Sequence, residues 1–301
     1  MNTEEQGPAI PPVAGLAICV VSISTAAVLI RLTSADPLAV AAYRLTISVL
    51  VIAPFALRWG LHDLIRASRR DLCLLIIIGS ALALHFALWI TSLYHTTVAA
   101  SVLMVTTSPV FIALADRLVF RESVSRRTTF GILVAMAGVA VVVFPGGRVS
   151  GDLVGLAMAL GGAITVSVYL IGGRRLRRRL PLASYVLAVY GVASAELLGA
   201  CLFAGVKLTG YGLSDYGLFL LLGIVPSHFG HTLYNYLLRF LDAKVIAVST
   251  LGEPILSSLW AFLVLNEIPG PFIFAGAPMV LLGIYLTAAG VRTVQDSALP
   301  G

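Results

Sequence analysis

Charge is what this sequence has least of. Lys, Arg, Asp and Glu make up 11% of its 301 residues against 59% hydrophobic ones, and the mean hydropathy is +0.99. That is too little polar surface to coat a soluble globule of this size. Cysteine is nearly as scarce: Cys19, Cys73 and Cys201, odd in number and scattered, supply neither a disulfide framework nor a metal-ligand spacing. They read as small apolar packing residues. No Lys or Arg precedes Arg31, so the first hydrophobic run lacks a basic flank and is expected to be a retained span, not a cleaved signal. Alternating ten-residue stretches are missing, which excludes an outer-membrane barrel. Catalytic signatures are missing too: no HExxH, no GxSxG, and no two aspartates deep within apolar runs, those present lying at or near run ends. No enzyme and no cofactor is expected.

What is present is a series of apolar runs near the length that crosses a hydrocarbon core as helix. Ten fit, at 12–31, 37–57, 71–93, 97–119, 128–145, 152–173, 182–206, 215–238, 243–265 and 270–290. The formal net charge of +6 is distributed unevenly among the connections. Summed over alternate connections, sixteen Lys and Arg fall on one side and three on the other, with Arg44 left inside a span. The positive-inside rule therefore places both termini in the cytoplasm. The basic run "RRLRRR", residues 174–179, reads as a topology anchor for anionic headgroups and not as a nucleic-acid patch.

The chain also repeats itself. Pro109, Glu122, Gly131 and Gly138 recur as Pro254, Glu267, Gly276 and Gly283, each 145 positions on. Gly15 with Thr25 recurs as Gly155 with Thr165, and Pro37 as Pro181. Five spans per copy is an odd number, so the second copy must cross the membrane in the opposite sense. The expected fold is an all-α membrane protein of ten transmembrane helices in two inverted five-helix repeats. Its divisions are a cytoplasmic tail 1–11, a first repeat 12–145, a second 152–290 and a cytoplasmic tail 291–301. Inverted repeats are the build of secondary transporters, whose halves rock about a site near the bilayer midplane.

The stretches "PVFIALADRLVFRESVSRRTTFGILVAMAG" and "EPILSSLWAFLVLNEIPGPFIFAGAPMVLLG" resemble the two EamA-type repeats of the drug/metabolite transporter superfamily. The likeness runs over about residues 12 to 290. Within that superfamily the chain resembles exporters of amino acids and related metabolites, including the YddG type. It departs from that type at Ser108, where an aromatic residue precedes the fourth-span proline.

Polar residues inside the spans are the candidate site. Pro109 and Pro254 each remove a backbone donor and predict hinges in the fourth and ninth spans, with a carbonyl freed near Thr250. Thr250, Glu253 and Ser257 lie at i, i+3 and i+7, a stripe expected to face the bundle interior. His228, His231 and Asn235 repeat that spacing in the eighth span beside Tyr234 and Tyr236; His85, Trp89 and Ser92 form a stripe in the third; Thr165 and Tyr169 lie one turn apart in the sixth. The expected cavity is walled by Trp89, Tyr169 and Tyr234, with His85, Ser108, Thr165, His231, Asn235, Thr250 and Glu253 lining it, and suits a small zwitterion with an organic side chain. "HFGH" lacks a visible third ligand, and no metal is expected. Arg44 and Glu196 are read as structural charges, Arg44 held by helix-end carbonyls or an acid, Glu196 beside a close helix contact along Gly191, Ala195 and Gly199. Glu122 and Glu267 are expected to pair with basic groups or cap the following helix. Trp59 and Tyr211, near span ends, read as interfacial belt residues.

The resulting expectation is an exporter of small organic metabolites, amino acids first, from the bacterial cytoplasm by alternating access across the inner membrane. A multidrug exporter of lipophilic cations is the alternative. Its partners are a small-molecule substrate and membrane lipid, without nucleic acid, in a monomer or weak dimer.

Overall fold

A computed structural model describes residues 10–119, 121, 125–144, 152–177, 179–237, 240 and 249–290. Among these, helix is the only regular structure. The helices are α1 (Pro12–Ser24), α2 (Ala26–Arg31), α3 (Pro37–Trp59), α4 (Leu61–Ile65), α5 (Arg69–Ser92), α6 (Val98–Val105), α7 (Ser108–Leu118), α8 (Arg126–Val143), α9 (Leu153–Leu176), α10 (Leu182–Phe203) and α11 (Leu213–Ile224). A π-helical segment (Val225–Thr232) follows, then α12 (Leu233–Leu237), α13 (Gly252–Leu265) and α14 (Pro271–Gly290). Their starts are written locally. Asp36, Ser68, Thr97 and Ser125 each accept a hydrogen bond from a backbone N–H in the first turn of α3, α5, α6 and α8, satisfying donors that a helix start leaves orphaned.

Among the described residues six segments are long and apolar enough to cross a membrane: Pro12–Arg31, Pro37–Arg58, Arg69–Ser92, Val98–Leu118, Leu153–Gly173 and Leu182–Phe203. Gly252–Leu265 and Pro271–Thr287 are apolar but shorter. Large apolar side chains such as Leu50, Phe130, Phe203, Leu220, Ile255 and Phe274 face outward, as lipid requires and water would not favour. This is an all-helical membrane protein.

Helix packing follows the sequence repeat. By the displacements above, α8 corresponds to α14, α3 to α10, α1 to α9, α7 to α13 and α5 to α11. The helix α8 packs on α14, and α3 on α10, each against its own counterpart. Likewise α5 packs on α9 as the π segment after α11 packs on α1; α5 meets α10 as α11 meets α3; and α7 meets α9 as α13 meets α1. The α8–α14 seam gives the geometry. A Cβ on Gly131 would lie 2.7 Å from the Gly283 carbonyl oxygen, and one on Gly138 2.8 Å from that of Gly276. The first glycine of one helix meets the second of the other, so the two run antiparallel and exchange contacts as across a two-fold axis. Only glycine permits backbones this close.

Both expected proline hinges coincide with breaks. The helix stops at Thr106 and Thr107 before α7, which carries Pro109 in its first turn, and at Thr250 and Leu251 before α13 and Pro254. Pro254 has no N–H for the Thr250 carbonyl, which instead accepts from Glu253 N at 3.1 Å. In the eighth apolar run the sequence reading errs. His228 and His231 lie on the π segment, whose wider turn breaks the i, i+3, i+7 phase, so the two histidines and Asn235 do not form one α-helical stripe. Thr250 lies outside α13, and Ser257 turns to α1, donating to the Ser24 carbonyl at 3.0 Å, so that stripe also dissolves. Cys73 is exposed, whereas Cys19 and Cys201 are buried.

Candidate functional site

Arg44, on α3, is fully buried. Its guanidinium carbon lies 4.3 Å from the Phe86 ring centroid and 5.7 Å from that of Trp89, both on α5. Its Nε donates to Ser227 Oγ on the π segment at 3.1 Å, and Ser227 passes its own proton to the Leu222 carbonyl at 2.9 Å. Among the described residues, the carbonyl or carboxylate expected to hold Arg44 is absent: neither Nη atom has a hydrogen-bond partner there. Glu253, partly exposed at the start of α13, interacts with it electrostatically without closing to a salt bridge.

Around this cation the structure gathers much of the expected set. The His85 ring stacks parallel to Trp89 at 6.0 Å, and its Nδ1 lies 2.9 Å from the Gly162 carbonyl on α9. A carbonyl only accepts, so Nδ1 carries the hydrogen, and in the neutral ring Nε2 is then an acceptor. His231 stands edge-on to Phe86 at 6.0 Å. Asn235 donates to the Tyr169 hydroxyl at 2.9 Å and to the His231 carbonyl at 2.8 Å, tying α9 to the π segment. The Tyr234 hydroxyl lies 3.3 Å from Ser249 Oγ and within electrostatic reach of Glu253. Trp89 and Tyr169 are almost entirely buried and pack inside the cluster.

Other expected residues are placed differently. Thr165 returns its hydroxyl to the Gly161 and Gly162 carbonyls at 3.0 and 3.1 Å, as its counterpart Thr25 does to Ser22 at 2.8 Å; both hydroxyls serve their own helix. Ser108 meets α9 through its carbonyl, which accepts from Ser167 at 3.0 Å. Glu196 is exposed on α10 and accepts from Ser80 at 2.5 Å. A Cβ on Gly191 or Gly199 would meet nothing within 4 Å, so the close helix contact expected there does not exist. Tyr211 belongs to a cluster with Tyr43, Tyr216 and Phe219 and donates to the Lys207 carbonyl. Three members of the Arg44 cluster were not anticipated: Phe86, Ser227 and Tyr190, the last within electrostatic reach of Arg44. The available signal was Ser227 beside Pro226, a hydroxyl at a backbone break in an apolar run.

A cavity of about 540 Å³ opens at one end of the bundle, lined by Arg31, Tyr94 to Thr97, Ala100, Val142, Asp152, Leu156, Glu267, Gly270, Phe272 and Ile273. None of the expected substrate residues lines it. Glu267 does, and it caps α6, not the following helix: one oxygen accepts from Val98 N at 2.7 Å, and the other lies 4.0 Å from Arg31. Arg31 also donates to the Leu93 carbonyl at 2.5 Å. Burial raises the Tyr94 phenol above its ordinary range, so it remains a neutral bridge between Thr33 and the Ala35 carbonyl. Glu122 and the side chain of Trp59 lie outside the described residues.

The model of the EamA-like transporter family matches residues 11–144 and again 153–289. The chain belongs to the EamA-like transporter family. This places it in the drug/metabolite transporter superfamily and makes it a membrane transporter. An uncharacterized transporter of Archaeoglobus fulgidus is 25% identical over 271 residues, covering 86% of this chain and 90% of that one. A protein of Streptantibioticus cattleyicolor named a probable terminal-alkyne amino-acid exporter is 24% identical over 249 residues, 81% of each chain. A solved crystal structure shares the fold with a TM-score of 0.64 at 21% identity, covering 91% of this EamA-like chain and 95% of the other.

Proposed function

We propose that this transporter is a ten-span carrier of two inverted five-span repeats, with cytoplasmic termini, that exports small organic metabolites, amino acids first among them, across a bacterial inner membrane by alternating access. The observation that carries the reading is the placing of Arg44 and Glu253. They are ionisable residues of opposite sign, one from each half of the sequence, set in a largely apolar bundle within electrostatic reach of each other and short of a salt bridge. A charge at such depth is costly unless it serves a path through the membrane. Two further features support the scheme. Glu253 sits beside the Pro254 break, whose counterpart is the break before Pro109, and the α8–α14 contacts are exchanged as a two-fold axis in the membrane plane would exchange them. The name of the S. cattleyicolor relative favours amino acids over other metabolites. Arg44 tells against a lipophilic-cation pump, since a fixed buried cation repels such cargo.

The test is counterflow in liposomes holding the purified full chain. Internal unlabelled amino acid is expected to drive uptake of the labelled amino acid, and tetraphenylphosphonium is expected not to compete. Block by tetraphenylphosphonium at low concentration, with amino acids inert, would replace this reading with the drug-efflux one.

A further inference from the structure

We infer that Arg44 and Trp89 form the anchor for a carboxylate group of the cargo. The inference rests on the transport reading above and assigns the part of the site that recognises substrate. Three buried donors of these neighbouring side chains lack acceptors among the described residues: both Nη atoms of Arg44 and Nε1 of Trp89, whose ring centroid lies 5.7 Å from the guanidinium carbon. Arg44 is 0% exposed and Trp89 4%, so water does not supply the missing bonds. The contacts Arg44 does make leave its outer edge open. Phe86 takes the flat face of the guanidinium, and Ser227 takes Nε. The Nη hydrogens lie in the plane and point elsewhere, where a planar, two-oxygen acceptor would meet them as a fork.

Among the described residues, the groups the guanidinium meets are neutral or aromatic apart from Glu253. The groups that face it are Phe86, Trp89, His85, His231, Tyr190 and Ser227. A single positive charge in such walls suits one negative charge; a phosphate dianion would leave an excess buried charge. Glu253 stands within electrostatic reach and short of salt-bridge contact. A zwitterion would place its carboxylate on Arg44 and its ammonium toward Glu253, leaving the organic side chain against the aromatic rings. The cation–π contact already holds the guanidinium without cargo, so the anchor is pre-positioned before the cargo arrives.

The experiment compares acids with their own amides. Detergent-purified full chain is titrated with a panel of α-amino acids, beginning with phenylalanine, each beside its carboxamide, and binding is read as the thermal shift. Wild type is expected to bind at least one acid of the panel with the matching amide weaker by at least about 30-fold, the loss typical of leaving a buried charged partner unpaired. Arg44→Gln is expected to erase that preference and Arg44→Lys to keep part of it. Trp89→Phe removes one donor while keeping the ring; it is expected to reduce acid binding and leave amide binding unchanged, which protects the test if Arg44→Gln does not fold. Equal binding of every acid and its amide by wild type, absence of binding by any acid, or wild-type acid preference in Arg44→Gln overturns the inference. Acid binding that depends on Arg44, with no counterflow of any solute, sinks the transport reading and leaves the anchor standing. Counterflow in which Arg44→Gln carries acid and amide as wild type does leaves transport standing and sinks the anchor.

Discussion

Gly283→Ala should break the seam on which the two halves meet. The added Cβ would stand 2.3 Å from Ala135 N, 2.6 Å from the Gly131 carbonyl oxygen and 2.7 Å from Ala135 Cα. All three are backbone atoms of α8, so no side chain can rotate away, and the helices must part by about 1 Å to reach ordinary contact. Overpacking a core by a single methyl costs about 1–3 kcal/mol, and rigid backbone on the far side puts this case near the upper end. For a chain of this size that corresponds to a fall in apparent Tm of roughly 3–5 °C. The repeat counterpart Gly138→Ala, whose Cβ would lie 2.7 Å from Val280 N, should fall by a similar amount. Gly199→Ala supplies the control: nothing lies within 4 Å of that Cβ, and removing a mid-helix glycine should be neutral or stabilise by up to about 1 kcal/mol. The assay is thermal unfolding of the purified full chain in one detergent, followed by far-ultraviolet circular dichroism. Equal melting of Gly283→Ala and Gly199→Ala, or a fall in Gly283→Ala with no change in Gly138→Ala, would refute the exchanged-contact geometry.

Two further outcomes are expected. Pro254→Ala restores an N–H to the Thr250 carbonyl, so the helix should extend across the break; stability should hold or rise while counterflow falls several-fold, and unchanged flux would remove the hinge from the mechanism. Glu267→Ala deletes the cap on Val98 N and should lower stability by about 1 kcal/mol, nearly all of it from the cap. Its ion pair with Arg31 is long and partly solvated and should contribute little. A stability loss that disappears in high salt would reverse that apportioning.

Membrane residence, helicity and the doubling of the chain are properties of composition and spacing, and they were legible without coordinates. An apolar run at bilayer depth must bond its own backbone, which leaves helix as the only local answer. The proline breaks were legible for the same reason, since a missing N–H acts on its own helix. Which face a residue presents was not. The π segment at Val225–Thr232 shifts the phase of every residue beyond it, and each residue of helix is worth roughly 100° of rotation. His228, His231 and Asn235 therefore part company although their numbers promised one stripe. Glu196 and the Gly191–Gly199 ladder went the same way: small residues allow a close contact but do not say whether a neighbour stands there.

Partnership across the chain belongs entirely to the tertiary structure. The sequence alone determined that Arg44 is a cation inside an apolar run and that Gly131, Gly138, Gly276 and Gly283 are equivalent in pairs. Packing decided that those glycines meet crosswise, that Ser227 takes one nitrogen of Arg44, and that its other two are left without an acceptor among the described residues. Hydropathy and repeat spacing act along the chain, where order suffices; hydrogen bonds and close contacts act through a few ångströms of space, and only the folded bundle brings residues nearly two hundred positions apart within that range.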